Sequence, residues 1–108
     1  MTRVKSGITV SAGLRHASNA MIECVLVRRG DADAGAIFIH IDLLDGRHQL
    51  LGRVLDFAGQ YSWQPLTKEA FTDQATVEAR IAAETAADPD IFVIAVTDAR
   101  GRNPFASL

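Results

Sequence analysis

Cysteine is nearly missing from this chain. Cys24 is the only one in 108 residues, so no internal disulfide can staple the fold. It lies in the apolar run Met21–Val27, where a buried, inert thiol is expected rather than a reactive one. Long apolar runs are missing as well. The longest, Ile91-Phe92-Val93-Ile94-Ala95-Val96, falls far short of the roughly 20 residues that a membrane-spanning helix needs. The start, Met-Thr-Arg-Val-Lys-Ser-Gly, is basic, but the apolar stretch of about 7–15 residues that marks a secretory signal does not follow it. A reducing cytoplasm is the compartment these features predict.

An excess of charge is also lacking. Lys and Arg number 11 against 13 Asp and Glu, a net charge of −2, so neither nucleic acid nor an anionic membrane is an expected partner. Arg47 and Arg53 near Phe38 are a poor match to a base-stacking sheet. The familiar catalytic signatures are absent: no Gly-x-Ser-x-Gly elbow, no phosphate loop of the Gly-x₄-Gly-Lys kind, no dinucleotide Gly-x-Gly-x-x-Gly and no spaced Cys/His cluster. No catalytic residue, metal ligand or cofactor is therefore assigned.

What is present is ordinary globular composition, 48% apolar and 22% charged. The charge is unevenly placed. Residues 1–30 carry the cations Arg3, Lys5, Arg15, Arg28 and Arg29 against the single anion Glu23, while the remainder is acidic on balance. Residues 7–20 fit both a strand and a helix. Val10, Leu14, Ala17 and Met21 recur at helical spacing, and Ser6 could cap such a helix. Gly7 and Gly13 count against it, at up to about 1 kcal/mol each. Helix is the reading adopted.

Met21–Arg29 reads as a strand, Gly30–Gly35 as a hairpin loop between two glycines, and Ala36–Leu44 as a second strand. Asp45-Gly46 is a two-residue hairpin signal, with Arg47–Leu55 as the return strand. Counting outward from that turn pairs Ile41 with Leu50 and His40 with Leu51. It places Ile37, Ile39, Ile41, Leu43, Leu50 and Val54 on a core face, and Phe38, His40, Asp42, Gln49, Leu51 and Arg53 on the other. His40 and His48 then lie on opposite faces and cannot share a metal. A third turn residue would move one strand's set across the sheet.

Asp56–Phe71 reads as a long loop, Asp73–Ala87 as a helix capped by Thr72 or Asp73 and stopped before Pro89, and Ile91–Val96 as a central strand. The last residues read as a loosely held tail. The predicted fold is α+β, in the order helix-strand-strand-strand-helix-strand. Two helices pack on one face of a mainly antiparallel four-stranded sheet, in a single domain over residues 1–108.

Several blocks carry a resemblance. Lys5-Ser6-Gly7-Ile8, Arg28-Arg29-Gly30-Asp31-Ala32-Asp33-Ala34-Gly35-Ala36, Leu44-Asp45-Gly46, Asp88-Pro89-Asp90-Ile91-Phe92-Val93, and Asp98 with Gly101 occur in that order. The chain resembles a small alphaproteobacterial protein family of unknown function, marked most specifically by the Arg-Arg-Gly-Asp-Ala-Asp-Ala-Gly block. The resemblance implies a stand-alone bacterial cytoplasmic protein of about this length and implies no activity.

Two groups of residues are candidates for function. Arg28, Arg29, Gly30, Asp31, Asp33 and Gly35 could form an anion or ligand site, because backbone freed by glycine can cradle an anion. As a calcium loop the segment fails, since Gly35 and Ala36 stand where an oxygen ligand and a glycine are needed. Phe38, Leu51, Tyr61 and Trp63 are interface candidates, being apolar or aromatic on a sheet face and a loop that the two helices would leave open. The predicted role is a non-enzymatic binding or adaptor domain, with an unknown protein or a second copy of the chain as partner. The alternative is a small ligand-binding protein or enzyme using the Arg28–Gly35 loop.

Overall fold

The computed structural model of the chain describes residues 4–108. Its elements are α1 (Ser6–Asn19), β1 (Glu23–Arg28), β2 (Ile37–Asp42), β3 (His48–Leu55), β4 (Tyr61–Pro65), α2 (Gln74–Ala87) and β5 (Phe92–Thr97). The strands form one sheet in the order β1-β5-β2-β3-β4. β2 and β5 run parallel, and every other neighbouring pair is antiparallel. The α+β class and both helices agree with expectation. The sheet has five strands rather than four and is mixed rather than antiparallel.

Three features produce the difference. First, β4 arises inside the segment read as a loop, because its alternation is short and interrupted by polar residues. Its partner is β3, with Arg53 opposite Trp63 and Leu55 opposite Tyr61. Second, β5 inserts between β1 and β2. The apolar run Phe92–Val96 is buried on both faces, as a central strand requires. Gly30–Gly35 is therefore not a hairpin loop but a crossover that arches over the start of β5.

Third, the helices lie on opposite faces of the sheet. On the α1 side, Val10 and Ala17 pack with Ile37, Ile39, Ile41, Leu51, Phe92, Ile94 and Phe105. On the α2 side, Val77 packs with Phe38, Leu50, Ile91 and Val93, flanked by Leu66 and Ile81. Alternate residues of β2 and β5 thus feed two separate apolar layers.

The β2–β3 turn sets the register. Leu44-Asp45-Gly46 forms a three-residue loop, with Leu44 (φ 64°) and Gly46 (φ 88°) both left-handed. Asp42 accepts a hydrogen bond from the Leu44 N–H at 2.8 Å, and Asp45 accepts one from Arg47 at 3.0 Å. Ile39 then pairs with Leu51, His40 with Leu50 and Asp42 with His48. This is one residue away from the two-residue turn. It carries Leu51 to the α1 side and brings Leu50 and His48 to the α2 side.

α1 lacks a side-chain cap. Its first N–H groups, from Ser6 and Gly7, donate instead to the Asp33 and Ala32 carbonyls, and the Ser6 hydroxyl donates to the Gly35 carbonyl at 2.7 Å. Gly13 lies against the Phe105 ring, where an added Cβ would fall 2.0 Å from a ring carbon. The glycine that weakens the helix locally is what lets the chain's end pack under it. That end is not a loose tail. Phe105 is fully buried, Trp63 donates from Nε1 to the Phe105 carbonyl at 3.0 Å, and the two rings meet edge to face.

Candidate functional site

The Gly30–Gly35 crossover is built from hydrogen bonds of its own and of its neighbours. Asp31 Oδ2 accepts from the Ala34 N–H at 3.1 Å, and the Asp31 N–H donates to the Asp90 carbonyl at 3.0 Å. A Cβ on Gly30 or Gly35 would lie 2.2 or 2.3 Å from that same carbonyl oxygen, so the two glycines allow close backbone approach to β5. Arg28 reaches the other way, donating from Nη2 to the Pro89 carbonyl at 3.0 Å. Asp33 is exposed and pairs with Lys5 at 3.4 Å, and Arg29 is exposed. Arg28, Arg29 and Asp33 do not converge on one cleft. The loop turns carbonyls rather than N–H groups toward the α1 N-terminus, which is acceptor chemistry.

The interface candidates also separate. Phe38 is buried under α2, and Leu51 is buried in the α1 layer. Trp63 is partly buried against the α1-side core. Tyr61 alone stays well exposed, with the Arg53 guanidinium 4.4 Å above its ring centre. The sheet face expected to lie open is instead covered by the second helix, except along β1, whose Val25 and Val27 remain exposed.

Two clefts result. The larger is an open groove of about 910 Å³ between the start of α1 and the β3–β4 hairpin. Val4, Ile8, Leu55, Tyr61 and Leu108 give it apolar walls, Ile37 and Gly35 also line it, and Arg53 and Asp33 are its charged groups. Five of these are exposed hydrophobic side chains, and Phe57 projects fully into solvent at the hairpin tip beside it.

The smaller cleft, about 310 Å³, opens on the α2 side beside the start of that helix. His40 and His48 face each other in it, Nε2 to Nδ1 at 2.9 Å, with ring centres 5.1 Å apart. His48 is 7% exposed and is held at its backbone by a two-way bridge to Thr72. Its Nε2 lies 3.9 Å from Asp42 Oδ1. Burial first, and the neighbouring His48 second, hold the His40 imidazole below its ordinary pKa, against the opposing pull of Asp42 and Glu78. The expectation that these histidines sit on opposite faces is thus overturned by the single extra turn residue. Elsewhere, burial pushes the Cys24 thiol up to about 11, which keeps it protonated and unreactive.

A family described as "Protein of unknown function (DUF1491)" matches residues 4–106. The chain belongs to the DUF1491 family. A DUF1491 crystal structure from Caulobacter crescentus CB15 is 25% identical, with a TM-score of 0.86 over 97% of this chain and 96% of that one. An NMR structure of a DUF1491 protein from the same organism is 26% identical, with a TM-score of 0.82 over 99% and 96%. Protein Atu0922 from A. tumefaciens, 23% identical, shares the fold at a TM-score of 0.80 over 99% and 95%. No curated protein matches the chain.

In this DUF1491 chain, no helix of the described residues is long and apolar enough to cross a membrane. No group of three or more His, Cys, Asp or Glu side chains among the described residues is placed to hold a metal ion. The larger groove combines apolar walls with one cation, Arg53, and one carboxylate, Asp33, which suits binding. The smaller cleft offers two imidazoles and nearby carboxylates. It could have been found from the sequence only by weighing a three-residue turn at Leu44-Asp45-Gly46.

Proposed function

We propose that the chain is a non-enzymatic binding domain of the bacterial cytoplasm whose α1–hairpin groove receives a short segment of a partner protein. The groove itself carries the reading. Its volume lies in the range of ligand sites, and such sites are mainly apolar with few polar groups. Arg53 selects for a carboxylate beside the apolar side chain that fills the groove. The exposed edge of β4 lies next to it and can extend the sheet by one strand of partner backbone.

Peptides selected from a random display library against the wild-type protein test this. The expected enrichment is an apolar residue next to Asp or Glu, lost from binding to Leu55→Asp and weakened in Arg53→Glu. Selected peptides that bind both variants as well as wild type would refute the groove.

A second reading rests on β1. It is an edge strand, and Val25 and Val27 project from it uncovered on the α2 side. Two copies pairing β1 to β1 would cover them and remove the open edge. Native mass spectrometry distinguishes the cases. A dimer that Val25→Lys and Val27→Lys convert to monomer supports this interface, and a monomer at all concentrations rejects it.

A further inference from the structure

We propose that the segment received by the α1–hairpin groove is the Asp56-Phe57 tip of the β3–β4 hairpin of a second copy of this chain. The two copies form a two-fold pair in which each gives a tip and receives one. The inference rests on the groove reading above and names the occupant.

The tip is a built knob. Asp56 Oδ1 accepts from the Ala58 and Gln60 N–H groups at 2.9 and 2.8 Å, and the Asp56 N–H donates to the Gln60 carbonyl at 2.9 Å. The Gly59 N–H donates to the Asp56 carbonyl at 3.1 Å, with Gly59 left-handed at φ 79°. These bonds fix a turn whose one large side chain, Phe57, is fully exposed. A ring held in water this way adds no burial to the monomer, and aromatic rings are common anchors of interfaces. A fixed tip also loses little freedom when it docks.

The groove is the matching hole. Its five apolar wall residues are uncovered, and its volume of about 910 Å³ accepts a phenyl ring. Charge then selects the occupant. The Arg53 guanidinium stacks 4.4 Å above the Tyr61 ring, which leaves its N–H edge free. The groove's carboxylate, Asp33, is already paired with Lys5 at 3.4 Å. Among the described residues Arg53 has no anion, and both turn bonds of Asp56 fall on Oδ1, which leaves Oδ2 for an outside donor. An apolar ring directly after a carboxylate is the pairing the groove calls for, and Asp56-Phe57 supplies it.

Symmetry completes the argument. The hairpin that carries the knob also forms one wall of the hole, through Leu55, Ala58 and Tyr61. Knob and hole therefore share one patch, and a single two-fold rotation seats both. A knob remote from its hole would instead build an open chain of copies.

The test is sedimentation velocity over a concentration series, in which the wild type should show a monomer–dimer equilibrium. Phe57→Ser should weaken the dimer by at least about a hundredfold, because one substitution removes two anchors. Phe57 is fully exposed, so the fold does not depend on it. Ile8→Asp spoils the hole and should weaken the dimer similarly. It lies exposed in the first turn of α1, where an acid suits the helix. Mixing the two variants decides between a knob in a hole and a merely sticky surface. The mixed pair keeps one complete contact, so it should associate at least about tenfold more tightly than either variant with itself. Val25→Lys, on the opposite edge of the sheet, should leave the dimer intact.

A wild type that stays monomeric, a dimer that survives Phe57→Ser, a mixture no tighter than its components, or a dimer lost in Val25→Lys would each overturn the proposal. Peptide selection on Phe57→Ser separates this failure from failure of the groove reading. Peptides that bind this variant, and lose binding when Leu55→Asp is added, would keep the groove and discard only the second copy as its occupant.

Discussion

α1 and α2 are both 14 residues long, yet they are held in opposite ways. α2 carries its own instructions. Asp73 accepts from the Thr76 N–H at 2.8 Å, Arg80 pairs with Glu84 one turn on, and the chain leaves the helix just before Pro89. Only Val77 is buried. α1 has no side-chain cap and two glycines, yet it buries Ser6, Thr9, Val10, Gly13 and Ala17. Its cap is a loop 25 or more residues away, and Gly13 lies directly against the Phe105 ring. A helix supported by neighbours in sequence is easy to read, and one supported by neighbours in space is not.

The contrast can be broken most forcefully at Phe105. Phe105→Ala empties the space under Gly13 and is expected to cost about 3–5 kcal/mol in urea unfolding. Hydrogen exchange should show α1 losing protection before α2; equal loss in both helices would dissolve the contrast. Gly13→Ala comes next. Helix propensity alone favours alanine by about 1 kcal/mol, whereas the clash with Phe105 predicts a net loss of about 1–3 kcal/mol. A gain in melting temperature would show that propensity, not packing, rules α1.

Acid should act on the same side of the sheet. Asp98 accepts from the Arg102 backbone and guanidinium at 2.8–3.0 Å, in the turn that leads to Phe105. The Arg102 hydrogen bond holds the Asp98 carboxyl down from 3.8 to about 2. A depressed carboxylate stabilises the fold fully above its unfolded value and ceases to as pH falls toward the folded one. Stability should therefore decline between about pH 4 and pH 2, less steeply in Asp98→Asn, and thermal melts across that range read the difference.

Asp73→Ala removes the α2 cap and should cost about 1 kcal/mol, with fraying confined to the first turn of α2 in exchange measurements. The smallest effect is a gain. Met21 follows α1 at φ 58°, is 90% exposed, and sits where helix ends prefer glycine. Its N–H and that of Ile22 close the helix on the Ser18 and Ala17 carbonyls. Met21→Gly should raise stability by about 0.5–1 kcal/mol in urea unfolding.

The candidate sites divide along the same line. The Gly30–Gly35 segment is legible as a special loop, but its glycines answer to the Asp90 carbonyl in the turn ahead of β5, 55 or more residues later. Phe38 is covered because α2 takes the face expected to lie open, and Leu51 is covered because the three-residue turn moves it to the α1 side. The histidine pair was hidden by one residue of register, and no local pattern marks the difference between Asp45-Gly46 and Leu44-Asp45-Gly46 as the turn.

The sequence by itself determined the elements whose causes are local. The alternation of β2, the apolar run of β5, and the cap and proline stop of α2 each depend on residues within a few positions. Only the tertiary structure decided the insertion of β5 between β1 and β2, the division of the helices between two faces, and the turn that sets His40 against His48. A left-handed Leu44 costs about 1–2 kcal/mol taken alone. It is held because the shifted register buries Leu50 and Leu51 in two different layers at once, and those layers are formed by parts of the chain that meet only after folding.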